Sequence, residues 1–155
     1  MVKRIYIDTS IIGGYFDKEF KEITRALFHR LISREIIFVI SDLLELELND
    51  APKNVKRLLL EFPDYCFERI ELTHDAFSLA DKYVEEKVVG KASIEDCRHI
   101  ALATVNKVDV LISWNFKHIV NLDRIKGYNS VNLRLGYPII EIRSPKEILK
   151  YEDLK

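Results

Sequence analysis

Apolar residues fall along this chain in two rhythms. Short, largely apolar runs occur at Ile5 to Ile7, at Ile36-Ile37-Phe38-Val39-Ile40, which is apolar throughout, across Val108 to Ile112 and at Ile139 to Ile142. The second run is rich in β-branched residues, which favour extended backbone. Strands that are apolar on both faces belong to a parallel sheet covered by helices on either side. Between these runs the apolar positions recur at helical spacing. The pattern predicts helices over roughly Lys21 to Ser33, Asp42 to Asn49, Lys53 to Phe62, His74 to Val88 and Ile94 to Asn106. In the last of these, Ile94, Cys97, Ala101, Thr104 and Val105 fall on one face. Phe67 to Leu72 is ambiguous and fits a short edge strand. Strands alternating with helices predict an α/β protein, a three-layer α/β/α sandwich around a central, mostly parallel sheet with right-handed crossovers.

No stretch rich in Pro, Gly or Ser divides the chain and no repeat is visible, so residues 1–155 read as one domain. Composition adds an exclusion. A formal net charge of -1 argues against a general, charge-driven nucleic-acid binder, which would be basic. It leaves room for a local site where metal ions supply the positive charge. Cys66 and Cys97 lie far apart and have no metal-ligand spacing. No signal peptide or membrane span is visible, and a reducing, cytoplasmic setting is the expectation.

The chemistry is sought at the strand ends, because ligands of open parallel sheets sit beyond the carboxyl ends of the strands. The first strand ends in Asp8-Thr9-Ser10. The second ends at Ser41, and the helix that follows carries Glu45 and Glu47. The third runs into Ser113-Trp114-Asn115, and the helix before it opens at Ser93-Ile94-Glu95-Asp96. Parallel strands put these ends on one edge, so carboxylates converge from distant parts of the sequence. Such carboxylates repel one another and resist burial unless a hard cation neutralises them. Oxygen ligands without a Cys or His cluster point to Mg²⁺ or Mn²⁺ rather than zinc. Two such ions activate a water and stabilise the leaving oxygen of a phosphodiester.

These same residues carry a family resemblance. Tyr6-Ile7-Asp8-Thr9-Ser10 resembles the opening strand of PIN domains. Ile40-Ser41-Asp42-Leu43-Leu44-Glu45-Leu46-Glu47-Leu48 resembles their second motif, whose acid follows the strand-ending Ser by six positions and falls on Glu47. Asp96-Cys97-Arg98-His99-Ile100-Ala101-Leu102-Ala103 is similar to the third, an Asp opening an Ala-rich helix. Val110-Leu111-Ile112-Ser113-Trp114-Asn115-Phe116 resembles the fourth, with Asn115 where an Asp is usual. Gly13-Gly14, Phe116 to Asn121 and Ile142 to Glu147 resemble one bacterial and archaeal branch. The resemblance implies a PIN-like fold and an Mg²⁺- or Mn²⁺-dependent ribonuclease of the VapC toxin type, with Asp8, Glu47, Asp96 and Asn115 as catalytic metal ligands. It further implies a homodimer and a protein antitoxin. Asn offers a carbonyl oxygen but no charge, which weakens the case for a second ion.

Each of these residues also has a plainer reading. Asp8 fits a turn opening. Ser93-x-x-Asp96 and Asp42-x-x-Glu45 fit helix-capping pairs. Glu45 and Glu47 point about 200° apart around a helix, so only one reaches a given ion, and Glu47 is the choice. Thr9, Ser10 and Ser113 fit either carboxylate-orienting donors or local backbone partners. His99 and Trp114 fit packed core residues. Tyr15, Phe16, Phe20 and Phe28 fit core or a dimer face. The leading expectation is a metal-dependent endoribonuclease cutting single-stranded RNA as the toxin of a type II toxin–antitoxin pair. The alternative is a catalytically weak or inactive PIN module that binds RNA or a protein. A flap-type DNA nuclease ranks last, because its helical arch needs more chain.

Overall fold

A computed structural model describes residues 2–149. Its sheet has five strands, all parallel among the described residues, in the order β3-β2-β1-β4-β5. They are β1 (Lys3–Ile7), β2 (Ile36–Ser41), β3 (Phe67–Ile70), β4 (Val110–Ile112) and β5 (Ile142–Arg143). Phe67 to Ile70 is thus an edge strand, paired with β2. The run at Ile139 to Ile142 yields less than expected. Only its last residue is in a strand, and Ile139 is 57% exposed.

Alternation along the strands explains the three layers. In β1, Ile5 and Ile7 face one core, while Tyr6 between them faces the other. In β2, Phe38 and Ile40 join the first core and Val39 the second, and in β4 Val110 and Ile112 oppose Leu111 in the same way. The first core is closed by α1 (Thr9–Gly14), α2 (Lys21–Ile32) and the segment that follows α3 (Asp42–Leu48). That segment is α4 (Lys53–Arg57) continued by a 3-10 turn over Leu58–Glu61, where one longer helix is expected from the pattern. The second core is closed by α5 (His74–Glu85), α6 (Ile94–Val105) and α7 (Leu122–Arg134). A short α8 (Pro145–Ile148) packs back on α2.

Helix α7 is absent from the expected elements. It is long but weakly patterned, burying Tyr128, Val131 and a polar residue, Asn132. Asn132 is accommodated because Tyr83 Oη donates to its Oδ1 at 2.5 Å. The chain enters the helix at Asn121, whose side chain accepts from the Arg124 amide.

The chain winds from β1 outward to β2 and β3, then returns past β1 to β4 and β5. The strand order therefore reverses between β1 and β4, and a crevice opens at the carboxyl ends of that pair. Trp114, just after β4, wedges against α1 and α2 there. Its ring stacks on Phe20 at 4.1 Å and its indole N–H donates to Thr24 Oγ1 at 3.0 Å. Gly14 lies beneath it, and a Cβ there would stand 2.6 Å from the indole nitrogen, whereas a Cβ on Gly13 meets nothing within 4 Å. Gly14→Ala should therefore destabilise the protein by about 1–3 kcal/mol, because the pinned indole cannot retreat. Gly13→Ala should be neutral or stabilise by about 0.5 kcal/mol. Denaturant melts of the two variants beside the wild type check this.

Candidate metal centre

Asp8 leaves β1 as the N-cap of α1 and is 4% exposed. Its carboxylate is held from two sides of the switch point. Ser10 Oγ donates to Oδ1 and Ser113 Oγ, at the end of β4, donates to Oδ2, each at 2.6 Å. Both serines also serve the backbone, accepting from the amides of Trp114 and Asn115. The two readings of these hydroxyls are therefore both realised. Thr9 Oγ1 donates to Glu47 Oε1 at 2.5 Å. Burial pushes the Asp8 carboxyl above the usual carboxylate range, with Asp96 adding to the rise and His99 and the two serines opposing it.

Glu47 reaches this edge from α3. The helix is capped by Ser41, which accepts from the Leu44 amide at 3.1 Å. The Asp42–Glu45 capping pair does not form. Asp42 instead accepts from the Leu72 amide, and Glu45 turns outward to Arg69 at 3.2 Å. Glu47 points the other way, and His99 Nε2 lies 2.6 Å from its Oε1. Burial raises the Glu47 carboxyl, but the hydrogen bonds from His99 and from the Thr9 hydroxyl hold it below its ordinary value.

Asp96 sits in the first turn of α6, and Ser93 makes no side-chain cap there, so the capping reading of that pair does not hold. Burial again raises its carboxyl, Glu47 raises it further, and His118, His99 and the Asn115 side chain oppose this. Asn115 closes a turn after β4, where its Oδ1 accepts from the amides of Lys117 and His118 at 3.1 and 3.0 Å. The amide oxygen expected to face an ion is therefore engaged by backbone, and the side chain acts on Asp96. His99 was not among the expected site residues. Its position three residues after Asp96 puts both on one helix face, a signal that was available in the sequence.

Asp8, Glu47, Asp96 and Asn115 thus share one edge of the sheet. Among the described residues no three His, Cys, Asp or Glu side chains stand in an arrangement ready to hold a metal ion. Asp96 is coupled by like charge to Asp8 and Glu47, while Glu47 is hydrogen-bonded to His99. The donor set itself fits a hard cation. It is all oxygen, burial raises two of its carboxylates, Asp8 with a further rise from Asp96 and Asp96 with a further rise from Glu47, and Glu47 Oε2 accepts no hydrogen bond among the described residues. A depression of about 350 Å³ opens beside it, lined by Ser10, Gly13, Asp17, Phe20 and Asn115 among others.

The raised Asp96 carboxyl gives a sign to test. Its folded-state pKa exceeds the unfolded value of about 3.9, so the folded protein binds more protons in the interval between them. The penalty of the charged form is complete above the folded pKa and vanishes below the unfolded one. In metal-free buffer at pH 8, Asp96→Asn should raise the melting temperature, by an amount reduced because Asp96 is part-exposed and solvent screens its charge. The advantage should shrink as pH falls through the folded pKa and be gone below about pH 3.5. Thermal melts across that range check it, and an advantage independent of pH would contradict the cause given.

No family model and no curated protein matches the chain in sequence. Solved structures do match in fold. VapBC2 from Rickettsia felis, bound to a DNA fragment from its promoter, gives a TM-score of 0.56 at 14% identity over 91% of this chain and 98% of the other. DNA-bound VapBC from Salmonella typhimurium gives 0.57 at 18% identity over 94% and 99%. The PIN domain endonuclease Utp24 gives 0.43 at 16% identity over 91% and 84%. The all-parallel five-stranded sheet between two helical layers makes this a PIN-like α/β/α protein, with the fold of a chain found in VapBC complexes.

Proposed function

We propose that this protein is an Mg²⁺- or Mn²⁺-dependent endoribonuclease that cuts single-stranded RNA as the toxin of a type II toxin–antitoxin pair. The observation that carries the reading is the buried Asp8 carboxylate at the switch point of a parallel sheet, charge-coupled to Asp96, with Glu47 on the same edge and hydrogen-bonded to Thr9 beside Asp8. Asp8, Glu47 and Asp96 would hold the cation. A divalent cation held by these residues would supply a Lewis acid for activating water and for stabilising the leaving oxygen of a phosphodiester. Ser10 and Ser113 fix both Asp8 oxygens in orientation, and Thr9 holds one Glu47 oxygen, Oε1. Asn115 contributes by holding the turn and steadying Asp96.

The surroundings suit a flexible strand better than a duplex. The net charge of -1 offers no broad phosphate footprint. Trp114 is 6% exposed and covered by Phe20, so it is no stacking platform, whereas Phe116 beside it is 48% exposed. Phe116 is the aromatic placed to meet a base. The toxin reading draws on the fold shared with VapBC chains, and it brings a protein antitoxin as partner. A homodimer remains part of the proposal. Of the amino-terminal aromatics, Tyr15, Phe16 and Phe20 are partly buried against the core and Phe28 is fully buried, which fits their core reading. The large exposed apolar residues lie elsewhere, among them Leu46, Leu60, Leu122 and Leu133. No helix among the described residues is long and apolar enough to cross a membrane.

A second reading, a PIN module that binds without cutting, is favoured by Asn115 and by the engagement of its amide oxygen with the backbone. Asn115→Asp separates the two. It places a fourth carboxylate against Asp96, so the metal-free protein should lose stability. The metal concentration for half-maximal cleavage of single-stranded RNA should fall several-fold, because charge-rich oxygen sites bind such ions more tightly. Metal titrations of cleavage on both proteins are the measurement. If neither protein cuts at any Mg²⁺ or Mn²⁺ concentration, the binding module is the better reading.

A further inference from the structure

Behind Glu47 lies a chain of buried polar groups that the ribonuclease reading does not itself require. Tyr6 projects from the centre of β1 into the second core and is fully buried. Its hydroxyl lies 2.9 Å from Ser41 Oγ and 2.6 Å from His99 Nδ1. His99, 2% exposed, meets the edge of the Tyr6 ring and places Nε2 against Glu47 Oε1. Ser41 in turn accepts from the Leu44 amide and so caps α3, the helix that carries Glu47. The links form a closed loop from the start of α3, through β1 and α6, back to a side chain of α3.

The hydrogen atoms in this loop have one arrangement that wastes none. Ser41 donates to the Tyr6 oxygen, Tyr6 donates to Nδ1, and the Nε2–H of a neutral imidazole donates to Glu47. In the reverse arrangement Tyr6 donates to Ser41 Oγ, which already accepts from the Leu44 amide, and the serine proton is left without an acceptor in this loop. Buried polar groups strongly favour full pairing. The imidazole is thus fixed in both tautomer and plane by Tyr6, as the second ring nitrogen of a working histidine often is.

We propose that Tyr6 and His99 are positioning residues for Glu47. Together with Thr9 they hold Oε1, leaving Oε2 as the oxygen offered to a divalent cation. The proposal rests on the metal reading above. Two hydrogen bonds converge on Oε1, at 2.5 and 2.6 Å, while Oε2 accepts none among the described residues. A carboxylate so held loses little freedom when it binds an ion. Partners of this kind typically change metal affinity by about 10- to 100-fold when removed. A histidine that merely filled the core would need no carboxylate at its far nitrogen.

The test uses the full chain and Mn²⁺ alone. Calorimetric Mn²⁺ titrations are run on the wild type, His99→Leu, His99→Gln and Tyr6→Phe, with the metal-free melting temperature of each. His99→Leu should weaken Mn²⁺ binding by about 10- to 100-fold. His99→Gln, whose amide offers both a donor and an acceptor, should recover most of the loss. Tyr6→Phe should cost less than His99→Leu, because the ring stays but its tautomer is released. Nitrogen NMR of the metal-free wild type should show His99 as the neutral Nε2–H tautomer, and this holds even if the leucine variant fails to fold. A wild type that binds Mn²⁺ together with a folded His99→Leu that binds it equally well would overturn the positioning role alone. So would a His99 found in the Nδ1–H form. A wild type that binds no Mn²⁺ would overturn the metal reading, and the role with it.

Discussion

The carboxyl edge of the sheet is organised around one buried negative charge, the Asp8 carboxylate. Burial of an ionised carboxyl is costly unless it is paired or hydrogen-bonded, and the structure meets that cost with two serine hydroxyls from opposite sides of the switch point. Neither serine carries positive charge. The carboxyl therefore stays above its usual range despite both bonds, and Asp96 on α6 lifts it further. A stability-minded sequence would place an uncharged residue here. Among the described residues no Lys or Arg hydrogen-bonds this acid, and that supports the proposal that an external cation completes it.

From that constraint the rest follows by topology. Because all five strands are parallel, β1, β2 and β4 deliver their carboxyl ends to one edge. Helices α3 and α6 start from that same edge, so Glu47 and Asp96 arrive one or two turns into their helices. The reversal of strand order between β1 and β4 leaves the crevice into which Asp8, Ser113 and the Asn115 turn project. Trp114 closes the crevice on the side of α2. The second core then braces the edge from behind through Tyr6 and His99, so that packing and site share the same residues.

The sequence made the architecture and most of this edge readable because both depend on strong, local signals. Largely apolar runs marked β1, β2 and β4, and acids after strand ends marked Asp8 and Glu47. Elements carried by weaker signals were lost. Helix α7 hides because Gly127, Asn129, Ser130 and a buried Asn132 dilute its pattern, and that asparagine is made acceptable by accepting from Tyr83 and donating to Thr104 across the core. Helix ends drifted because α2, α5 and α6 are followed by left-handed residues that are Arg34, Lys87 and Lys107 rather than the usual glycine. His99 read as packing, because nothing in a single sequence announces that Tyr6 and Glu47 lie at its two nitrogens. The use of the Asn115 oxygen in a turn was likewise invisible, since it depends on where two later amides fall.

The central claim is that this cluster of acids is completed by a divalent cation. A cation that binds only the folded protein must stabilise it, by about 2.7 kcal/mol at a hundredfold excess over its dissociation constant. In a domain of this length that amounts to a rise of roughly 5–10 °C in melting temperature. The direct measurement is a calorimetric melt of the metal-free protein with and without millimolar Mn²⁺, repeated on Asp8→Asn. The account predicts a clear rise for the wild type and little or none for the variant. No rise in the wild type, or an equal rise in both, would contradict it.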